Sequence, residues 1–267
     1  MNAPEEIVGR VIDELRDHPK VLTRCALTSR LWLYYARKAL YHTVTLDNEQ
    51  RANHVCSLVY AEPAIADCFR ALKFNVYAHY MSERQCPPPD LQSWVTSTLA
   101  LLALRLPNVS AIHFEYIRWQ TLRGFDEDFL KALSNFASVS TIRFWACNFV
   151  AFAEFEGILL AFPGLRRLRL DSITCEQPLA KQTYTLQLDS LSIASHFSLR
   201  VLRDWLLKIK APTTLRELAF EHLYDESDLH AAGEILANMG TALQSLTVCC
   251  RFSCDGYYRL QGECVSQ

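Results

Sequence analysis

The chain has 267 residues, 50% of them hydrophobic and 21% charged, with a formal net charge of −2. That balance is ordinary for a folded protein and gives no bulk attraction to nucleic acid or to an anionic membrane. No stretch of roughly 18 apolar residues is present to span a membrane, and residues 1–20 lack the apolar centre of a secretory signal, so a cytoplasmic or nuclear chain with reduced cysteines is expected.

Residues 1–45 read as a helical unit of three short helices, roughly 5–16, 19–28 and 31–41, broken at Asp17-His18-Pro19. Ile7, Val8, Val11, Ile12 and Leu15 form an apolar stripe on the first helix. Val21, Leu22, Cys25 and Leu27 do so on the second, and Leu31, Trp32, Tyr35 and Leu40 on the third. So small a unit has little core of its own, so it is expected to lean on the rest of the chain or on a partner.

Seven copies of the phrase apolar-x-x-apolar-x-apolar follow. They are Phe69-x-x-Leu72-x-Phe74, Val109-x-x-Ile112-x-Phe114, Val139-x-x-Ile142-x-Phe144 and Leu165-x-x-Leu168-x-Leu170, then Leu188-x-x-Leu191-x-Ile193, Leu215-x-x-Leu218-x-Phe220 and Leu243-x-x-Leu246-x-Val248. The middle positions, 72, 112, 142, 168, 191, 218 and 246, lie 40 residues apart at the first step and 23–30 apart afterwards. The last two apolar residues of each phrase face one side of an extended strand. A unit recurring every roughly 20–29 residues predicts a leucine-rich-repeat solenoid over 46–251, with short parallel strands and outer helices, an α/β fold. Residues 252–267 match nothing and are expected to form an irregular tail.

Between the phrases, helices are predicted over 91–106 (with Asp90 as its cap), 127–136, 152–162, 199–209 and 227–238, while 171–187 lacks one. Three positions after each phrase stand Tyr77, Ile117, Cys147, Ile173, His196, Leu223 and Arg251. Asn, Cys or an apolar residue there turns the chain back over the core, a requirement that His196 and Arg251 do not meet.

Pro4-Glu5-Glu6-Ile7, followed by Ile12, Leu15, a proline break, Leu22, Cys25, Leu27 and Arg30-x-Trp32, resembles an F-box. An F-box followed at once by leucine-rich repeats is similar to F-box proteins of mushroom-forming fungi. The resemblance implies a substrate-recognition subunit of a cullin–RING ubiquitin ligase, not an enzyme and without cofactors. The F-box would bind the Skp-family adaptor and the repeats a target protein. Carried onto this chain, Pro4, Ile7, Ile12, Leu15, Leu22 and Trp32 are the adaptor-facing or adaptor-supporting positions. The alternative is a leucine-rich-repeat interaction scaffold without ligase association, favoured by Ala3 and Thr28-Ser29 where the family usually has Leu and Val-Cys.

Strand alternation also predicts the opposite, outward face. One row is Lys73, His113, Arg143, Arg169, Ser192, Ala219 and Thr247; the next is Asn75, Glu115, Trp145, Asp171, Ala194, Glu221 and Cys249. Arg143, Trp145, Arg167 and Arg169 gather on neighbouring strands, an interface composition suited to an acidic segment of the target, unless Glu115 and Asp171 pair with them locally. No metal site is expected. Cys249, Cys250, Cys254 and Cys264 lack zinc spacing, His113-x-Glu115 lacks the Cys-x-x-Cys of a deaminase, and His222 and His230 sit among Glu221, Asp225, Glu226 and Asp228 as a solvated acidic loop.

Overall fold

A computed structural model describes residues 4–76, 93–119, 122, 126–177, 186–194, 199–209, 214–223, 226–239 and 241–250. Tyr77, Asp90, His196, Arg251, the tail 252–267, Asp225 and Cys86, Cys254 and Cys264 lie outside them. The fold is α/β, with ten helices and one eight-stranded, wholly parallel sheet among the described residues.

Three helices open the chain: α1 (Glu5–Glu14), α2 (Pro19–Ala26) and α3 (Arg30–Leu40). Pro19 occupies the first turn of α2, where its fixed φ suits a helix and its missing N–H is no loss. Ser29 caps α3 by accepting a hydrogen bond from the Trp32 amide at 3.4 Å. Val8, Ile12, Leu22 and Ala36 form a small core distinct from the main one, with Leu15, Cys25, Leu31, Trp32, Tyr35 and Leu40 packed around it. The unit therefore does have an interior of its own.

The helical unit ends at Leu40, not at residue 45. Strand β1 (Thr43–Leu46) already belongs to the sheet, with Val44 beside Leu72 and Leu46 beside Phe74. Tyr41-x-x-Val44-x-Leu46 is thus an eighth copy of the strand phrase. Its Tyr41 ring stacks on Phe69, the corresponding residue of the next copy, with centroids 6.0 Å apart.

The remaining sheet strands are β2 (Ala71–Asn75), β3 (Ala111–Glu115), β4 (Thr141–Trp145), β6 (Arg167–Asp171), β8 (Ser190–Ala194), β9 (Glu217–Leu223) and β10 (Ser245–Cys250). They stand side by side in chain order, β1-β2-β3-β4-β6-β8-β9-β10. The middle residues of all seven expected phrases pair in one unbroken row, from Leu72 through Ile112, Ile142, Leu168, Leu191 and Leu218 to Leu246. A slip of one residue would turn every apolar side chain out of the core, so burial of this face fixes the register. The first phrase residues Phe69, Val109, Val139, Leu165, Leu188 and Leu215 are also buried, whereas Leu243, Leu246 and Val248 are only partly so.

After β3, β4 and β6 the backbone turns through a left-handed residue, with φ of 58° at Tyr116, 51° at Ala146 and 55° at Ser172. The next side chains, Ile117, Cys147 and Ile173, point inward and are buried, as is Leu223. Two short strands that alternation does not reveal, β5 (Asn148–Ala151) and β7 (Thr174–Gln177), then pair in a second parallel sheet. A β-branched side chain tolerates positive φ poorly. Ala146→Val is therefore expected to destabilise the fold by about 1–2 kcal/mol, read as a lower denaturant midpoint at unchanged slope.

Helices cover the apolar face of the sheet. α4 (Glu49–Ala61) and α5 (Pro63–Ala66) fill a stretch where no element was expected. Ala52, Val55, Cys56 and Val59 give α4 a buried stripe, and Asn48 caps it through the Arg51 amide at 2.8 Å. α6 (Trp94–Ala103), α7 (Glu127–Leu133), α8 (Phe152–Leu160), α9 (Leu199–Lys208) and α10 (Glu226–Asn238) fall within or beside the expected spans. No described helix is long and apolar enough to cross a membrane.

Candidate functional site

The sheet face away from the helices carries its polar side chains in straight rows, because the strands share one register. Lys73, His113, Arg143 and Arg169 are consecutive neighbours on β2, β3, β4 and β6. Four basic positions at strand spacing would repel one another unless offset, and most are offset. Lys73 Nζ lies 2.9 Å from Glu115 Oε1, and Asn75 Nδ2 donates to Glu115 Oε2 at 2.8 Å. Glu115, expected as an open position, is consequently buried with 1% exposure. Ala194, likewise expected to face outward, is also buried. Burial and the neighbouring Arg143 cation lower the His113 pKa, against the opposing pull of Glu115, so this imidazole is neutral near pH 7.

Arg169 is diverted as well. Its Nη2 lies 2.6 Å from Glu221 Oε2, reaching past β8 to β9, and Ser192 Oγ donates to the other oxygen of that carboxylate at 2.7 Å. Of the four residues expected to gather here, Arg169 is thus held in an internal pair. Its partner is Glu221, not the adjacent Glu115 or Asp171.

Arg143 and Trp145 meet as expected, the guanidinium lying over the indole ring at 5.6 Å from its centroid. Arg167 is exposed on the same face, one strand over and one step back from Arg143. Tyr116 completes the cluster, its ring 5.0 Å from Trp145. Strand alternation stops at Glu115 and could not place Tyr116; the left-handed backbone there turns its side chain to the indole. Arg143 and Arg167 form no ion pair with any described residue.

Cys147 lies directly beneath, its thiol donating to the Phe114 and Trp145 carbonyl oxygens at 3.4 and 3.5 Å. Burial pushes this thiol up to about 12, and that of Cys175 likewise to about 12. Both stay neutral in the fold while an unfolded chain ionises them from about pH 9 upward. Their contribution to stability is therefore full below about pH 9 and is lost as pH rises toward about 12. Iodoacetamide at about pH 8 is expected to spare Cys147 in the folded chain and to alkylate it in denaturant, as peptide mass spectrometry would read.

The second surface is on the helical unit. Ile12 and Leu22 are wholly internal, and Leu15 and Trp32 are partly buried against the same small core. Pro4 and Ile7 are exposed, Ile7 by 53%. Val11, Val21, Leu27 and Tyr34 are exposed too, Leu27 by 84%. A stripe reading assigns Val11, Val21 and Leu27 to the interior because it cannot tell which edge of an apolar stripe the neighbouring helix covers. The helical unit thus exposes five large apolar side chains, Ile7, Val11, Val21, Leu27 and Tyr34.

No protein-family model matches the chain, and no curated protein matches it at a significant level.

Proposed function

We propose that the chain is a substrate-recognition subunit of a cullin–RING ubiquitin ligase, acting in the cytoplasm or nucleus. In this reading α1–α3 are an F-box that docks on a Skp-family adaptor. The sheet and its helices are a leucine-rich-repeat solenoid that holds a target protein. The chain performs no bond chemistry itself. It raises the effective concentration of the target beside the ubiquitin carrier, which the other subunits supply.

The observation that carries this reading is the helical unit's combination of a separate core with exposed apolar side chains. A unit serving only to close the end of the sheet would turn those side chains toward β1. Within it, Ile12, Leu15, Leu22 and Trp32 support the surface, and Pro4 and Ile7 make contact.

Ile7→Glu tests this without disturbing the interior. Recovery of purified Skp-family adaptor with the full chain is expected to fall about tenfold or more, with the melting temperature unchanged. Undiminished recovery would sink the assignment. A deletion used alongside it must remove residues 1–40, since β1 begins at Thr43.

A further inference from the structure

We infer that the face of β4 and β6 binds an extended acidic segment of another protein, with two carboxylate side chains spaced two residues apart and an apolar or aromatic side chain two residues beyond. The inference rests on the proposed reading only in taking the repeat face as the target-binding surface.

The spacing follows from the register. Arg167 pairs with Thr141, so it lies diagonally from Arg143 on the same face. With strands about 4.8 Å apart and an offset of two residues, such diagonal neighbours are about 8 Å apart. Along β4, Trp145 follows Arg143 by two residues, about 6.6 Å. Side chains at i, i+2 and i+4 of an extended ligand repeat at nearly the same interval. A segment lying along β4 would therefore place one carboxylate at Arg167, the next at Arg143 and an apolar side chain on Trp145 and Tyr116. Either chain direction satisfies the row.

Charge fixes the lateral position. Among the basic residues of the row, Lys73 is neutralised by Glu115 and Arg169 by Glu221. On the β9 side, exposed Glu217 stands in line with Arg167, so an acidic ligand displaced that way meets like charge. The unmatched guanidinium groups are Arg143 and Arg167, with the aromatic shelf beside them.

The test is selection of a displayed library of random linear peptides on the full chain. The expected outcome is convergence on acid-x-acid-x-apolar, or its reverse, with binding to Arg167→Glu and to Arg143→Lys weaker by about tenfold or more. Arg167 is an exposed rim position, so its variant folds whatever Arg143 contributes to packing. No convergence, convergence on peptides without paired acids, or equal binding to both variants would overturn the inference. Adaptor recovery, measured on the same variants, separates the two ideas. Intact recovery without selected peptides removes this site alone; lost recovery with selected peptides removes the ligase role alone.

Discussion

Replacing Phe155 by alanine is expected to destabilise the chain by about 3–5 kcal/mol and to lower its melting temperature by roughly 10 °C. Phe155 is fully buried on α8, and its ring meets four others. Phe144 of β4 lies 5.6 Å away, Phe149 of β5 5.5 Å, Phe152 5.3 Å and Trp205 of α9 5.7 Å. These edge-on and tilted contacts join both sheets to two helices, so no single neighbour can close over the void left by truncation. Leu160, at the end of the same helix, is 47% exposed. Leu160→Ala should cost no more than about 0.5 kcal/mol. Comparable losses from both changes, in matched denaturant melts, would show that the ring cluster is not the joint described here.

That cluster also marks what the sequence could and could not convey. The strand phrase was readable because a strand's period is fixed at two and because one face is buried. Each of the seven middle residues accordingly falls in a single row. The eighth copy is obscured because Tyr41 also fits the end of the preceding helical stripe; the pairing of β1 with β2 and the stacking of Tyr41 on Phe69 assign it to the sheet. β5 and β7 were not readable, since their direction is set by left-handed turns at Ala146 and Ser172, which no side-chain alternation encodes. Arg143 and Trp145 could be placed together because they share a strand. The pairing of Arg169 with Glu221, 52 residues away and across an intervening strand, depended on side-chain reach and not on spacing. On α1 and α2, periodicity found the apolar side of each helix but could not divide Ile12 and Leu22, which are interior, from Ile7 and Val11, which are exposed.

The step between β6 and β8 is the shortest in the repeat, and among the described residues it contains β7 but no helix. Side chains of α8 and α9 meet directly across this step. Trp205 approaches Phe152 and Phe155, and beside them Lys208 Nζ lies 2.5 Å from Glu156 Oε1. The two charged side chains are only 10% and 7% exposed. A buried pair of this kind gains little over an apolar packing, because desolvation of both ions offsets most of their attraction. Losing Lys208 is different, since it strands the Glu156 carboxylate in the interior. Lys208→Met alone, which leaves the Glu156 carboxylate without its partner, is expected to cost about 3–5 kcal/mol, and Glu156→Leu alone is expected to destabilise as well. The double change Glu156→Leu with Lys208→Met is expected to fall within about 1 kcal/mol of the parent or above it, because the long apolar side chains refill the span without a charge. The signature is the non-additivity: single losses that sum to more than the combined one, measured by equilibrium denaturation of the parent, Glu156→Leu, Lys208→Met and the double variant. Additive losses would mean that each residue contributes through separate packing and not through the pair.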